Sequence, residues 1–291
     1  MTLLFVAGVV LALLLGLSFL FAELLIHPPR NKPTDFTPSD AGLPFEWVTF
    51  ASHDGLRLMG WLVGPELRKP PVVILHGYTD NKGSYLDQAR FLFERGYPSL
   101  IYDQRGHGQS ASAKVSLGPL EARDLAEAIR MLSERSRGNR FVVWGISMGA
   151  ATALLAAADE PQIVGVVAES SYERLYRVVA DTLRERFHVP PFPLVPLSLA
   201  LASLKTGLNL FRVHIGDAVK SLGTRRLMLV SGAEDPRMTP ELGSRLLDEA
   251  VGPADHLVIA GADHAQCWPL GKAVYGERVL GLLEAVRLDE K

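Results

Sequence analysis

Ser147 stands between two glycines, in the run FVVWGISMGAA at residues 141–151. The apolar residues before it suit a strand, and the small residues after it suit a helix. A turn this tight crowds its backbone, and glycine alone tolerates the crowding and the unusual angles. The pattern G-x-S-x-G is that of a nucleophile elbow, in which a serine hydroxyl is pushed out of the strand end. Serine is a weak nucleophile at neutral pH. A neutral imidazole must take its proton during attack and then return it to the leaving group. A carboxylate is needed to fix the imidazole tautomer and to stabilise the imidazolium that forms. The chemistry these types perform together is acyl transfer.

An open parallel sheet binds ligands beyond the C-terminal ends of its strands. The partners of Ser147 are therefore expected just after strand-like runs. Asp235 lies in LMLVSGAEDPRMTP and His264 in LVIAGADHAQ, and the chain order Ser, Asp, His is that of the elbow arrangement. Glu234 and Asp263 are the competing carboxylates. Of the eight histidines, His256 opens a strand, which places it about 15 Å from the active edge at 3.3 Å per residue. His53 lies by a hairpin turn, His27 in a Pro-rich segment, and His188 and His214 in or near an insertion. His76 reads as a structural hydrogen-bonding residue. Two backbone donors for the oxyanion are expected at Met148, after the nucleophile, and at Tyr78, in the turn after VVILHG.

These residues need a scaffold of strands that alternate with helices. FEWVTFASHDGLRLMGWLV reads as two strands joined at Asp54–Gly55. PVVILHG is an all-apolar run of the kind buried on both faces of a sheet. The strands PSLIYD, FVVWG, IVGVVAES, RLMLVSG and HLVIAG follow, separated by helical runs. The helix from Pro119 shows apolar positions at helical spacing: Leu120, Leu125, Ala128, Ile129 and Leu132. The alternation predicts an α/β domain with a mostly parallel sheet flanked by helices, over residues 45–291. About 55 residues separate IVGVVAES from RLMLVSG, far more than one crossover needs. This stretch, about 171–224, carries HVPPFPLVPLSLALASLKTGLNLF and is expected to form a helical cap over the site.

The N-terminus differs from the rest. Residues 2–22 contain no charged side chain, and about 20 apolar residues suffice to cross roughly 30 Å of hydrocarbon. A signal peptide should open with Lys or Arg, but the first basic residue is Arg30. Residues 1–26 therefore read as a single-pass transmembrane helix in the cell membrane, with a signal peptide and a core helix as the alternatives. Residues 27–44 read as a Pro-rich linker. Arg30 and Lys32 on the C-terminal flank place the main domain in the cytoplasm by the positive-inside tendency. The chain has 291 residues, 30 basic against 32 acidic side chains, and 48% hydrophobic residues. That is ample for a core and gives no basic excess for nucleic acid. Cys267 is the one cysteine, so no intrachain disulfide can form.

From about residue 45 to 287 the chain resembles the α/β-hydrolase superfamily. The matching pieces are HGYTDN (76–81), DQRGHGQS (103–110), GISMG (145–149), GAEDPRMTP (232–240) and GADH (261–264). The resemblance implies Ser147 as nucleophile, Asp235 as acid and His264 as base, with Tyr78 and Met148 at the oxyanion hole. In DQRGHGQS, Gly106 and Gly108 read as turn makers and Asp103 and Arg105 as loop braces. With its N-terminal helix, the chain looks like membrane-tethered bacterial hydrolases described as serine aminopeptidase-like. The expected activity is hydrolysis of carboxylic esters, with a lipid, lysophospholipid or acylated protein as substrate; no metal or organic cofactor is implied. A peptidase or amidase, or an acyl-protein thioesterase, would use the same site. An amine-reading carboxylate such as Glu169 or Glu173 would favour the peptidase. A membrane-tethered binding protein is the alternative of a different class. Oligomeric state is left open.

Overall fold

The strands run β1 (Phe45–Ala51), β2 (Arg57–Val63), β3 (Val72–Leu75), β4 (Ser99–Asp103), β5 (Phe141–Ile146), β6 (Ile163–Glu169), β7 (Arg226–Gly232) and β8 (Ala254–Ile259). They form one eight-stranded sheet in the order β1-β2-β4-β3-β5-β6-β7-β8. Only β2 opposes its neighbours; every other pairing is parallel. The helices are α1 (Thr2–Ile26), α2 (Leu86–Phe93), α3 (Pro119–Ser133), α4 (Met148–Asp159), α5 (Leu175–Phe187), α6 (Leu194–Thr206), α7 (Ile215–Ser221), α8 (Pro240–Asp248) and α9 (Cys267–Leu288). The structure is a computed structural model that describes residues 2–30, 36–64, 66–67, 69–136 and 138–289. It has the α/β-hydrolase fold. Residues 31–35 of the expected linker, with Lys32 among them, lie outside the described residues, and a short 3₁₀ turn occupies Pro38–Ala41.

Every residue of β3, β4 and β5 is buried, because helices cover both faces of a parallel sheet. Side chains alternate between two cores, as a strand's period of two requires. Val73, Leu75 and Val143 join α3 and α4 on one face, and Val72, Ile74, Val142 and Trp144 join α2 and α9 on the other. The hairpin of β1 and β2 pairs Phe45 with Val63 and turns through Gly55 at φ +83°. Between β6 and β7 lie α5, α6 and α7. Ile215 and Val219 of α7 are buried beside α4 in the sheet-covering layer. The part of the insertion outside that layer, the segment expected to form the cap, therefore consists of α5, α6 and the 3₁₀ turn Leu210–Arg212.

Helix α1 is 25 residues long and contains an 18-residue stretch with a mean hydropathy of 2.8, which fits a membrane anchor or a signal sequence. Its first half stands free, whereas Ser18, Ala22 and Ile26, four residues apart, are buried against the domain.

A buried ionic cluster ties the hairpin to α3. The Arg105 guanidinium donates to both oxygens of Asp124 at 2.7 Å and to Asp54 Oδ1 at 2.9 Å. His53 Nδ1 lies 2.8 Å from Asp124 Oδ1. The oxygens of Asp54 and Asp124 and the His53 nitrogen lie close enough together to hold a metal, but Arg105 already compensates their charge. Burial alone would raise the Asp54 carboxyl; the bonds from Arg105 and Ser52 outweigh it and hold it at about 2. Its stabilisation is thus present at neutral pH and lost as pH falls towards that value. Replacing Arg105 by Met leaves the buried Asp124 carboxylate without its cation. We expect Arg105→Met to destabilise the domain by about 3–5 kcal/mol in urea unfolding. A change below about 1 kcal/mol would mean the cluster is not a structural brace.

Candidate active site

β5 ends at Ile146 and α4 begins at Met148, so Ser147 alone makes the turn. Its backbone sits at φ +54°, ψ −115°, a region that costs a side-chain-bearing residue about 1–3 kcal/mol. The flanking glycines make room for that turn. A Cβ on Gly145 would lie 2.2 Å from the Gly149 carbonyl oxygen, and one on Gly149 would lie 2.3 Å from that of Leu75. Ser147 N donates to Glu169 O at 2.8 Å, and Ala150 N donates to Ser147 O at 3.0 Å, closing the turn on both sides. Gly149→Ala must push rigid backbone aside, so we expect a loss of about 3 kcal/mol or more. The readout is the midpoint of thermal or urea unfolding.

The loops after β7 and β8 bring the other two side chains to this point. His264 Nε2 is 2.9 Å from Ser147 Oγ, and His264 Nδ1 is 2.7 Å from Asp235 Oδ2. One tautomer satisfies both contacts: Nδ1–H donates to the carboxylate and Nε2 accepts from the hydroxyl. Asp235 Oδ1 accepts from Arg237 N and Met238 N, each at 3.0 Å. Burial would raise the Asp235 carboxyl; the hydrogen bond and charge of His264, with the two amides, outweigh it and leave it below its ordinary value. Asp235 is 2% exposed, whereas its competitors Glu234 and Asp263 are exposed. The Asp263 carboxylate accepts from the His264 backbone amide, not from its ring.

The turn after β3 lies against the serine: a Cβ on Gly77 would meet Ser147 Cβ at 3.4 Å. Met148 N, first in α4, has no acceptor within its own helix. Tyr78 N has no protein acceptor among the described residues. The Tyr78 hydroxyl is engaged elsewhere, donating to Leu24 O of α1 at 2.5 Å, and burial pushes it up to about 12.

A second set of contacts holds that turn. His76 Nδ1 donates to Gly77 O at 2.7 Å, while its Nε2 accepts from Gln104 N at 2.9 Å. His107 Nδ1 donates to Arg105 O at 2.8 Å, and its Nε2 accepts from Thr79 N at 3.2 Å. Burial, reinforced by the neighbouring His76, pushes His107 down to about 3, so it stays neutral. Asp103 accepts from Lys82 N, Lys82 Nζ and Gln109 N at 2.6–2.8 Å. His107 and Lys82 escaped the sequence reading. The RGHG run was legible as a turn, but its contact with Thr79 spans 28 residues and has no local signature.

The remaining candidates lie apart from this cluster. His256 Nε2 meets Ser231 Oγ at 3.0 Å on the sheet, His188 caps α5, and His214 sits between Glu173 and Asp217. Glu169 is fully buried and accepts from Cys267 N at 3.0 Å; burial raises its carboxyl. Glu173 pairs with Arg245 and lines a cavity of about 190 Å³ that includes none of Ser147, Asp235 and His264.

The comparisons with known proteins point the same way as the fold. The family model described as serine aminopeptidase, S33, matches residues 68–192. An uncharacterised Bacillus subtilis protein, YqkD, is 25% identical over 235 residues, 79% of this chain and 76% of that protein. A polyketide transferase of a Penicillium species is 32% identical over 133 residues; the match covers 43% of this chain and 45% of the transferase. Among solved structures, a Pyrococcus furiosus esterase superposes with a TM-score of 0.74 at 25% identity, covering 89% of this chain and 99% of its own.

Proposed function

The chain belongs to the α/β-hydrolase superfamily, and from that premise we propose that it is a serine hydrolase of carboxylic esters, anchored in a membrane by α1. One observation carries the reading: the strained Ser147 presents Oγ 2.9 Å from His264 Nε2, whose ring is held by buried Asp235 at 2.7 Å. Ser147 Oγ attacks the ester carbonyl carbon while its proton passes to Nε2. The amides of Met148 and Tyr78 receive the oxyanion. The C–O bond then breaks, the imidazolium returns its proton to the departing alkoxide, and an acyl-enzyme remains. Water, deprotonated by the same nitrogen, attacks the acyl carbon and releases the acid and the free serine.

The apolar cap and the apolar helix beside it favour a lipophilic acyl group, and the single-pass span with Arg30 on its C-terminal flank favours a cytoplasmic domain. The peptidase reading takes support from the name of the matching family model. Neither of the two carboxylates expected to read an amine is free to do so, because Glu169 is walled in and Glu173 pairs with Arg245. The test is a series of p-nitrophenyl esters of graded chain length, run beside aminoacyl amides and acyl thioesters. Each further buried methylene is worth about 0.8 kcal/mol, roughly fourfold in kcat/KM, until the pocket is full. Faster turnover of short, water-soluble esters would remove the lipophilic reading. Faster turnover of the amides would make the chain a peptidase. A folded protein that no fluorophosphonate labels would make it a binding protein.

A further inference from the structure

Helix α1 is long enough to cross a bilayer, yet only half of it is free to do so. Residues 2–13 are exposed throughout and, at 1.5 Å per residue, reach about 18 Å. The hydrocarbon core is about 30 Å thick. From Leu14 to Ile26 the helix is docked: Ser18, Ala22 and Ile26 are buried, and Leu14, Phe21 and Leu25 pack against the core. Its main partner is α6 of the cap. Phe21 also meets Phe187, at the end of α5, edge to face at 5.4 Å. If α1 spans, residues 14–22 must lie in hydrocarbon, and whatever packs beside them lies there too.

The partner helix is suited to that place. α6 carries no charge from Leu194 to Leu204. The first charge on α6, Lys205, pairs with the first charge on α1, Glu23, so both helices become polar at the same level. Lys114 Nζ donates to Lys205 O at 2.7 Å at that level. Leu204, one residue before the pair, is 81% exposed, and Phe187 is 49% exposed. In water these are uncovered apolar side chains next to an apolar helix. At a lipid surface they are where amphipathic elements bury such groups.

We infer that the cap is not a cytosolic lid but a membrane-contacting surface: the docked half of α1, α6 and the end of α5 together enter the interfacial layer of the bilayer that α1 spans, with the Glu23–Lys205 pair at the boundary. The inference rests on reading α1 as a membrane span. It also locates the substrate. The Tyr78 hydroxyl bonds Leu24 O, so a side chain from the turn proposed to receive the oxyanion reaches the residue that follows Glu23. An ester at headgroup depth reaches Ser147 while its acyl chain stays in lipid.

The test uses the full chain in phosphatidylcholine vesicles. An NBD fluorophore is attached to cysteines introduced one at a time as Leu204→Cys, Val10→Cys and Val251→Cys in a Cys267→Ala background, which removes the one native thiol, with folding of each checked by circular dichroism. Val251 is 76% exposed, between α8 and β8, and serves as the aqueous reference. Leu204 is expected to be quenched by lipids bearing a nitroxide near the headgroup, with iodide quenching at least about fivefold below that at Val251. Val10 is expected to be quenched more by a mid-chain nitroxide. If Val10 is quenched by lipid while Leu204 is open to iodide, α1 spans and the cap stays outside, which overturns the inference. If Leu204 is shielded from iodide and from lipid nitroxide alike, a second copy covers it, which also overturns it. If Val10 itself is open to iodide, the membrane span fails, and this inference with it.

Discussion

Ser147→Ala is expected to lower kcat/KM by about 10⁴-fold or more while leaving the fold intact. The substitution removes one oxygen and nothing else. The backbone bonds that close the turn, Ser147 N to Glu169 O and Ala150 N to Ser147 O, do not involve the side chain. What disappears is the atom 2.9 Å from His264 Nε2. Residual turnover then comes only from the oxyanion donors and substrate binding. The same variant should lose covalent labelling by a fluorophosphonate. On the proposed mechanism Ser147 and His264 act as a unit, so the double variant Ser147→Ala, His264→Ala should be hardly slower than either single one. A variant that keeps a tenth of the wild-type rate, with an unchanged unfolding midpoint, would remove Ser147 as the nucleophile.

Asp235→Asn carries the second largest expected effect, about 10³–10⁴-fold in kcat. Its cause is the direction of three hydrogen bonds. Oδ1 accepts from the amides of Arg237 and Met238, and these amides can only donate. An asparagine in this pose must turn its oxygen to them and its NH₂ group to His264 Nδ1. Nδ1 then has to accept, so the ring proton moves to Nε2. There it points at Ser147 Oγ, and the ring can no longer take the serine proton. The unfolding midpoint should change little, because the shape and the amide bonds are kept. If Asp235→Asn retains most of the activity, Asp235 does not orient the imidazole, and Glu234 and Asp263 become the residues to vary.

Much of this site was legible before any coordinates, because the signals are local. Gly145 and Gly149 flank Ser147 for a steric reason that acts over a few residues: the Cβ of either would collide with backbone. Unbroken apolar runs placed β3 and β5, which are buried on both faces, and apolar positions at helical spacing placed α3. The strand-end rule then brought Asp235 and His264 to the serine's edge of the sheet. Among the carboxylates the sequence offered, Asp235 is the one buried with an oxygen 2.7 Å from His264 Nδ1, while Glu234 and Asp263 are exposed.

Other features depended on which distant segments come to rest together. The apolar run at residues 2–22 announced a helix able to cross a membrane, from composition alone. That half of the helix docks along α6, that Glu23 meets Lys205, and that the Tyr78 hydroxyl is taken by Leu24 O all follow from packing between segments tens to nearly two hundred residues apart. The same holds for His107 under Thr79 and for Arg105 between Asp54 and Asp124. A local run of sequence encodes periodicity and steric permission, and these determined the elements and the sharp turn that carries Ser147. Side-chain pairing across the fold is settled only when the cores close, so the tertiary structure alone decided how the N-terminal helix, the cap and the site join.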